Sequence, residues 1–172
     1  LWCGIGVASY AELTGIGSRI SAAPGMPINT GTETATMRLD ATGALSAAFG
    51  IASHGQGLET TLAQIIADEL GVSFDDVEIV HGDSGAVAHS TGTYASRSTV
   101  LGGGAAILAS RALRERIIGV ASHVLEADPG DISLREGILS VVGTDRRLTL
   151  RELARAFYAE MGRLPKEIRE TT

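Results

Sequence analysis

At 172 residues and 44% hydrophobic content the chain is long enough for one domain with a real core and too apolar for wholesale disorder. Its net charge of −6 is uneven, about −8 over residues 1–96, where only Arg19 and Arg38 are basic, and about +2 over residues 97–172, so it lacks the basic excess of a nucleic-acid surface. Apolar runs break at Gly, Ser or Arg short of the ~20 residues of a membrane span, and the lone Cys3 makes neither an internal disulfide nor a cysteine zinc site, which together point to a cytoplasmic protein.

Gly4 to Leu13 is an apolar run with Val, Ile and Tyr that reads as a strand burying Cys3, and a loose Gly, Ser and Pro segment follows through Gly31. Ala35, Met37 and Leu39 alternate with Thr34, Thr36 and Arg38, the period of a half-buried strand. Asp40 to Gly43 supplies turn chemistry before a strand over Ala44 to Ile51, and the two strands should form a hairpin. Leu58, Leu62, Ile65, Ile66 and Leu70 draw one apolar helix stripe that Gly71 terminates. A polar turn, Ser73 to Asp76, leads to a short strand over Val77 to Val80, and then comes an irregular stretch from Gly82 to Ser98. Loops of that length are often functional.

Val100 to Leu125 has helical periodicity, with Gly102 to Ala106 small enough to admit another backbone closely. That end should be buried, and around it the chain could self-associate. Asp128-Pro129-Gly130 stops the helix. Ile132 to Leu134 should pair with Ile138 to Val142, and Thr149-Leu150-Arg151-Glu152 is a capping box opening a last helix through Tyr158. The order predicts an α+β fold: a mixed or antiparallel sheet packed by two or three helices.

Two glycine-bearing turns stand immediately before helical patterns, His54-Gly55-Gln56-Gly57 and Gly92-Thr93-Tyr94-Ala95-Ser96-Arg97-Ser98-Thr99. A helix start leaves backbone N–H groups unpaired and carries partial positive charge, so such turns suit an anion. Two of them suggest a large phosphate-bearing ligand held at more than one point. The same residues also admit a plain reading, with glycines as turn residues, Ser96, Ser98 and Thr99 as helix caps, and Arg97 on an acid such as Asp83 rather than a phosphate. His54, His81, His89 and His123 share no metal-ligand spacing.

The run from His54 to Ile65, then Asp68 to Val72, Val80 to Ser84 and Gly92 to Thr99 together resemble the molybdenum-binding large subunit of the xanthine dehydrogenase and aldehyde oxidase family. The branch they resemble most is that of carbon monoxide dehydrogenase large subunits. The resemblance implies that residues 1–172 are part of a larger molybdopterin-binding domain. It implies a molybdenum-molybdopterin cytosine dinucleotide cofactor, with Gly55, Gln56 and Gly57 on the pterin and neighbouring phosphate. Thr93, Ser96, Arg97, Ser98 and Thr99 would hold the phosphates and nucleotide. It further implies hydroxylation of aldehydes, carbon monoxide or N-heterocycles with water-derived oxygen, and partner subunits carrying iron–sulfur clusters and FAD. The family's catalytic glutamate lies in a Gly-x-Gly-Glu segment that these residues do not contain, so no catalytic residue is assigned. Where the family commonly has a loop proline, this chain has Ala88 and His89. A non-catalytic phosphate-ligand or assembly module of the same fold is the alternative.

Overall fold

The computed structural model describes residues 2–11, 15, 31–160, 162 and 164–169. A first sheet joins β1 (Ala35–Leu39), β2 (Leu45–Phe49) and β3 (Val77–His81) in that order, β1 antiparallel to β2 and β2 parallel to β3. The parallel pair requires a crossover, supplied by α1 (Leu58–Leu70). A second sheet is an antiparallel meander of β4 (Ile132–Arg135), β5 (Ile138–Val141) and β6 (Arg147–Thr149). The long helix α2 (Gly103–Leu125) packs on α1 and on β1 and also touches β4, while α3 (Leu150–Ala159) follows β6 directly. A short α4 spans Lys166–Arg169.

The mixed sheet and its hairpin agree with the sequence pattern. Asp40 makes the turn by accepting the Thr42 N–H at 2.8 Å, the Thr42 hydroxyl at 2.7 Å and the Ala44 N–H at 3.1 Å. On β2, Leu45, Ala47 and Phe49 are buried on one face. They meet Leu62, Ile66 and Leu70 of α1, and the core runs on through Ile117 and Ala121 of α2 to Leu134, Leu139, Leu148 and Leu153. Both sheets therefore share one apolar interior.

Gly71 closes α1 in the left-handed region at φ 76, and Arg114 donates to the Leu70 carbonyl at 2.6 Å. The last expected helix is capped as its pattern dictates. Thr149 Oγ1 accepts the Glu152 N–H at 3.2 Å, while Glu152 accepts the Thr149 N–H at 2.7 Å.

Three expectations need correction. No strand lies between Gly4 and Ala11, where Ile5, Val7 and Tyr10 are exposed; an apolar run becomes a strand only against a partner edge, and none meets it among the described residues. Glu12, Leu13 and all of the following segment to Thr30 except Gly15 lie outside the described residues. Cys3 is exposed rather than buried, because the segment carrying it does not pack. The helix begins as a π-helical turn over Ser98–Gly102, two residues ahead of Val100.

The glycine run is buried as expected at three of its positions. Gly102, Gly103 and Ala106 are buried, but against this chain: a Cβ on Gly102 would lie 2.4 Å from Ile51 Cδ1, and one on Gly103 3.1 Å from Ile65 Cδ1. The close neighbour that Gly102 and Gly103 admit is the chain's own core, through Ile51 and Ile65.

Candidate anion-binding site

Parallel pairing of β2 and β3 decides where the two glycine turns go. Phe49 and His81 are register partners, so the chain leaves both strands at the same carboxyl end. The segment after β2 becomes the His54–Gly57 turn and enters α1; the one after β3 becomes the long loop and enters α2. Carboxyl ends of neighbouring parallel strands are the usual place for a ligand crevice in such units.

The two turns face one another across a cavity of about 370 Å³ lined by Gln56, Leu58, Thr93, Tyr94, Ser96 and Ser98, with His54, Thr61, Ala95 and Thr99 completing the wall. Thr93 laces them together. Its hydroxyl donates to the Ala52 carbonyl at 2.7 Å and accepts the Ala52 N–H at 2.9 Å, so its hydrogen is already committed. Gln56 is similarly half engaged: its carbonyl oxygen accepts the His54 N–H within the turn. What Gln56 can still offer a ligand is its amide NH2.

The helix starts differ in what they leave free. Gly57 caps α1 at φ 75 without a side-chain bond. In the first turn, however, the Glu59 carboxylate lies on its own backbone N–H, on His81 Nε2 at 2.8 Å and on Ser53, and these contacts, the backbone one foremost, hold its pKa below the ordinary 4.5. At the other helix start Arg97 is the N-cap and no side chain caps it, so Ser96, Ser98 and Thr99 do not act as caps. Ser98 is only 7% exposed, yet its Oγ has no hydrogen-bond partner, the one such buried side-chain oxygen or nitrogen among the described residues. A buried hydroxyl left unmet costs about 1–3 kcal/mol, a penalty that a hydrogen-bonding group placed in the adjoining cavity would remove. Ala95 and Ser96 add to this by holding left-handed φ values of 50 and 53.

Arg97 meets an acid, though not the one its sequence neighbourhood suggested. Its guanidinium is completely buried on Glu33, 2.5 Å away, and donates to the Gly92 and Thr32 carbonyls. The acid it meets is Glu33 rather than Asp83, whose Oδ1 accepts the Gly85 N–H. Its charge is thereby neutralised away from the cavity, whose lining contains no Lys or Arg. Gly55 and Gly57 are exposed, with no atom within 4 Å of a built Cβ. Tyr94, His54 and Thr61 also line the wall; helix and loop periodicity carry no sign of that. Glu33 was equally invisible, standing 64 positions from Arg97.

Buried hydroxyl, uncapped helix start and left-handed turn give this α+β piece a site whose dipoles suit a phosphate-like group. The sequence matches the family described as the molybdopterin cofactor-binding domain over residues 1–170, and the chain belongs to that family. It is 34% identical over 165 residues to the nicotine 6-hydroxylase large subunit of Paenarthrobacter nicotinovorans, covering 95% of this chain and 20% of that one. Identity to the carbon monoxide dehydrogenase large chain of Afipia carboxidovorans is 37% over 157 residues, 90% of this chain and 19% of that one. The structure of quinoline 2-oxidoreductase from Pseudomonas putida 86 superposes with a TM-score of 0.78 at 39% identity, covering 90% of this chain and 20% of that one. The chain thus spans about one fifth of the length of these relatives. No helix among the described residues is long and apolar enough to cross a membrane.

Proposed function

We propose that this chain is the part of a molybdenum hydroxylase large subunit that grips the phosphate-bearing end of a molybdopterin cytosine dinucleotide. The observation carrying this reading is the partnerless Ser98 hydroxyl, buried at an uncapped helix start beside the Gln56 turn. Ser98, Ser96, Thr99 and the first-turn N–H groups of the π-helical turn hold phosphate oxygens, and the Gln56 amide donates to an acceptor on the pterin. Gly55 and Gly57 give the turn its shape, Thr93 fixes its distance from the loop, and Arg97 acts on the loop rather than on the ligand.

When bound, the cofactor supplies oxidation of a substrate carbon with water-derived oxygen. The substrates of the relatives, an N-heterocycle in nicotine 6-hydroxylase and carbon monoxide in its dehydrogenase, support a small-molecule substrate of that range or an aldehyde. Relatives named as large or gamma subunits support partner subunits, for which iron–sulfur and FAD carriers are the proposal, together with a cytoplasmic setting.

The test is the full-length subunit purified with its partners. Molybdenum and a cytidine nucleotide released by acid in equal amounts are expected. Ser98→Ala and Gln56→Ala should each lower that content several-fold, whereas full content in both variants, or another nucleotide from the parent, overturns the assignment.

A further inference from the structure

We propose that Glu33 is a positioning residue for this cavity, its buried carboxylate clasping the loop from Ser90 to Arg97 so that the Ser96 and Ser98 wall faces Gln56. Glu33 stands two residues before β1, far in sequence from the loop, and its side chain is as fully enclosed as that of Arg97. Both its oxygens accept from Ser90 Oγ, at 3.0 and 2.9 Å, and Oε1 accepts the Thr91 N–H at 3.2 Å. The same oxygen meets Arg97 at 2.5 Å. One carboxylate therefore holds both ends of the segment whose middle forms the cavity wall.

The guanidinium extends the clasp. It donates to the Gly92 carbonyl inside the loop and, at 3.2 Å, to the Thr32 carbonyl, and it lies 5.3 Å from the Tyr94 ring centroid. Between the two ends sit Ala95 and Ser96 at left-handed φ, a conformation that persists only where surroundings over-determine it. Thr93 on Ala52 supplies a second anchor.

A buried ion pair contributes little to stability, since desolvation consumes most of the attraction, and its best use is to specify geometry. These partners of the pair all lie in the loop or in the segment just before β1, which is the arrangement expected of a pair that shapes a wall. The inference rests on reading the cavity as the ligand site, although its structural half can be judged without the ligand.

The experiment uses the full-length subunit in its complex and reads three quantities: amide exchange over residues 93–99, cytidine nucleotide retained through gel filtration, and melting temperature. Glu33→Gln should raise exchange over 93–99 roughly tenfold and lower retained nucleotide several-fold. The double variant Glu33→Leu with Arg97→Leu removes both buried charges; it should melt near the parent and still show the fast exchange and the nucleotide loss. Should that double variant not fold, Glu33→Asp, one methylene shorter, serves instead, with an intermediate effect on both local readouts. Parent-like exchange and nucleotide content in whichever variant folds overturn the proposal. If the parent carries no cytidine nucleotide, the cofactor reading fails, while the exchange over 93–99 still decides the role of Glu33.

Discussion

A single hydroxyl separates stability from binding at this site. Ser98 Oγ is buried and unmet, so Ser98→Ala deletes an unsatisfied group and should leave the unliganded fold unchanged or about 1 kcal/mol more stable in urea titration. The same change removes a donor from the cavity, and opposite signs for melting and nucleotide retention mark a residue kept for a ligand. A stability loss with retention intact would make Ser98 an ordinary core residue. Neighbouring glycines show how locally such effects are set. At Gly102 an added Cβ meets Ile51 at 2.4 Å, and Gly102→Ala should cost about 1–3 kcal/mol by overpacking. At Gly104 nothing lies within 4 Å, and Gly104→Ala should instead stabilise by up to about 1 kcal/mol through helix propensity. Equal effects at both positions in parallel denaturation curves would contradict the assigned packing.

Helix ends and turns hold the carboxylates whose ionisation the fold favours. The capping carboxylate of α3, Glu152, is held below its ordinary 4.5 chiefly by the Thr149 N–H and then by the Thr149 hydroxyl. Asp40 in the hairpin turn lies below its ordinary 3.8 chiefly through the Thr42 hydroxyl. A folded carboxyl that ionises at lower pH than the unfolded one adds stability in full above the unfolded value and loses it as pH falls through the folded one. Stability should therefore decline as pH drops below about 4.5, and Glu152→Gln should flatten that decline in melting curves taken between pH 5 and 3. A slope identical to the parent's would mean that the box contributes nothing. Thr149 with Glu152 was legible from four consecutive residues, because a capping box closes within one helical turn. The Glu59 contact with His81 was not, because it joins α1 to β3 across 22 positions.

Taken whole, the molecule carries a net negative charge around the proposed anion site. Its cavity lining has no Lys or Arg, and the nearest buried cation is cancelled by Glu33. Attraction through short-range backbone and hydroxyl dipoles is poorly screened, so raising salt from about 50 to 500 mM should change nucleotide retention by the full-length complex less than roughly threefold. A tenfold loss would point to surface cations outside this lining. Trp2, Ile5, Val7 and Tyr10 are exposed on one segment at the same scale. Their strand-like pattern was read from the sequence, but a strand is a property of two edges and the pattern describes one.

Local order is what the sequence determined by itself. The hairpin, the α1 stripe with its Gly71 stop, the β4–β5 pair and the α3 cap each close within a few residues, where backbone sterics and apolar period decide the outcome. Both glycine turns were visible for the same reason. Tertiary structure alone decided that they share a cavity, because this depends on β2 and β3 running parallel with Phe49 opposite His81. It also set Arg97 on Glu33 rather than on Asp83, a choice made by burial across 64 residues, over which sequence spacing carries no distance information.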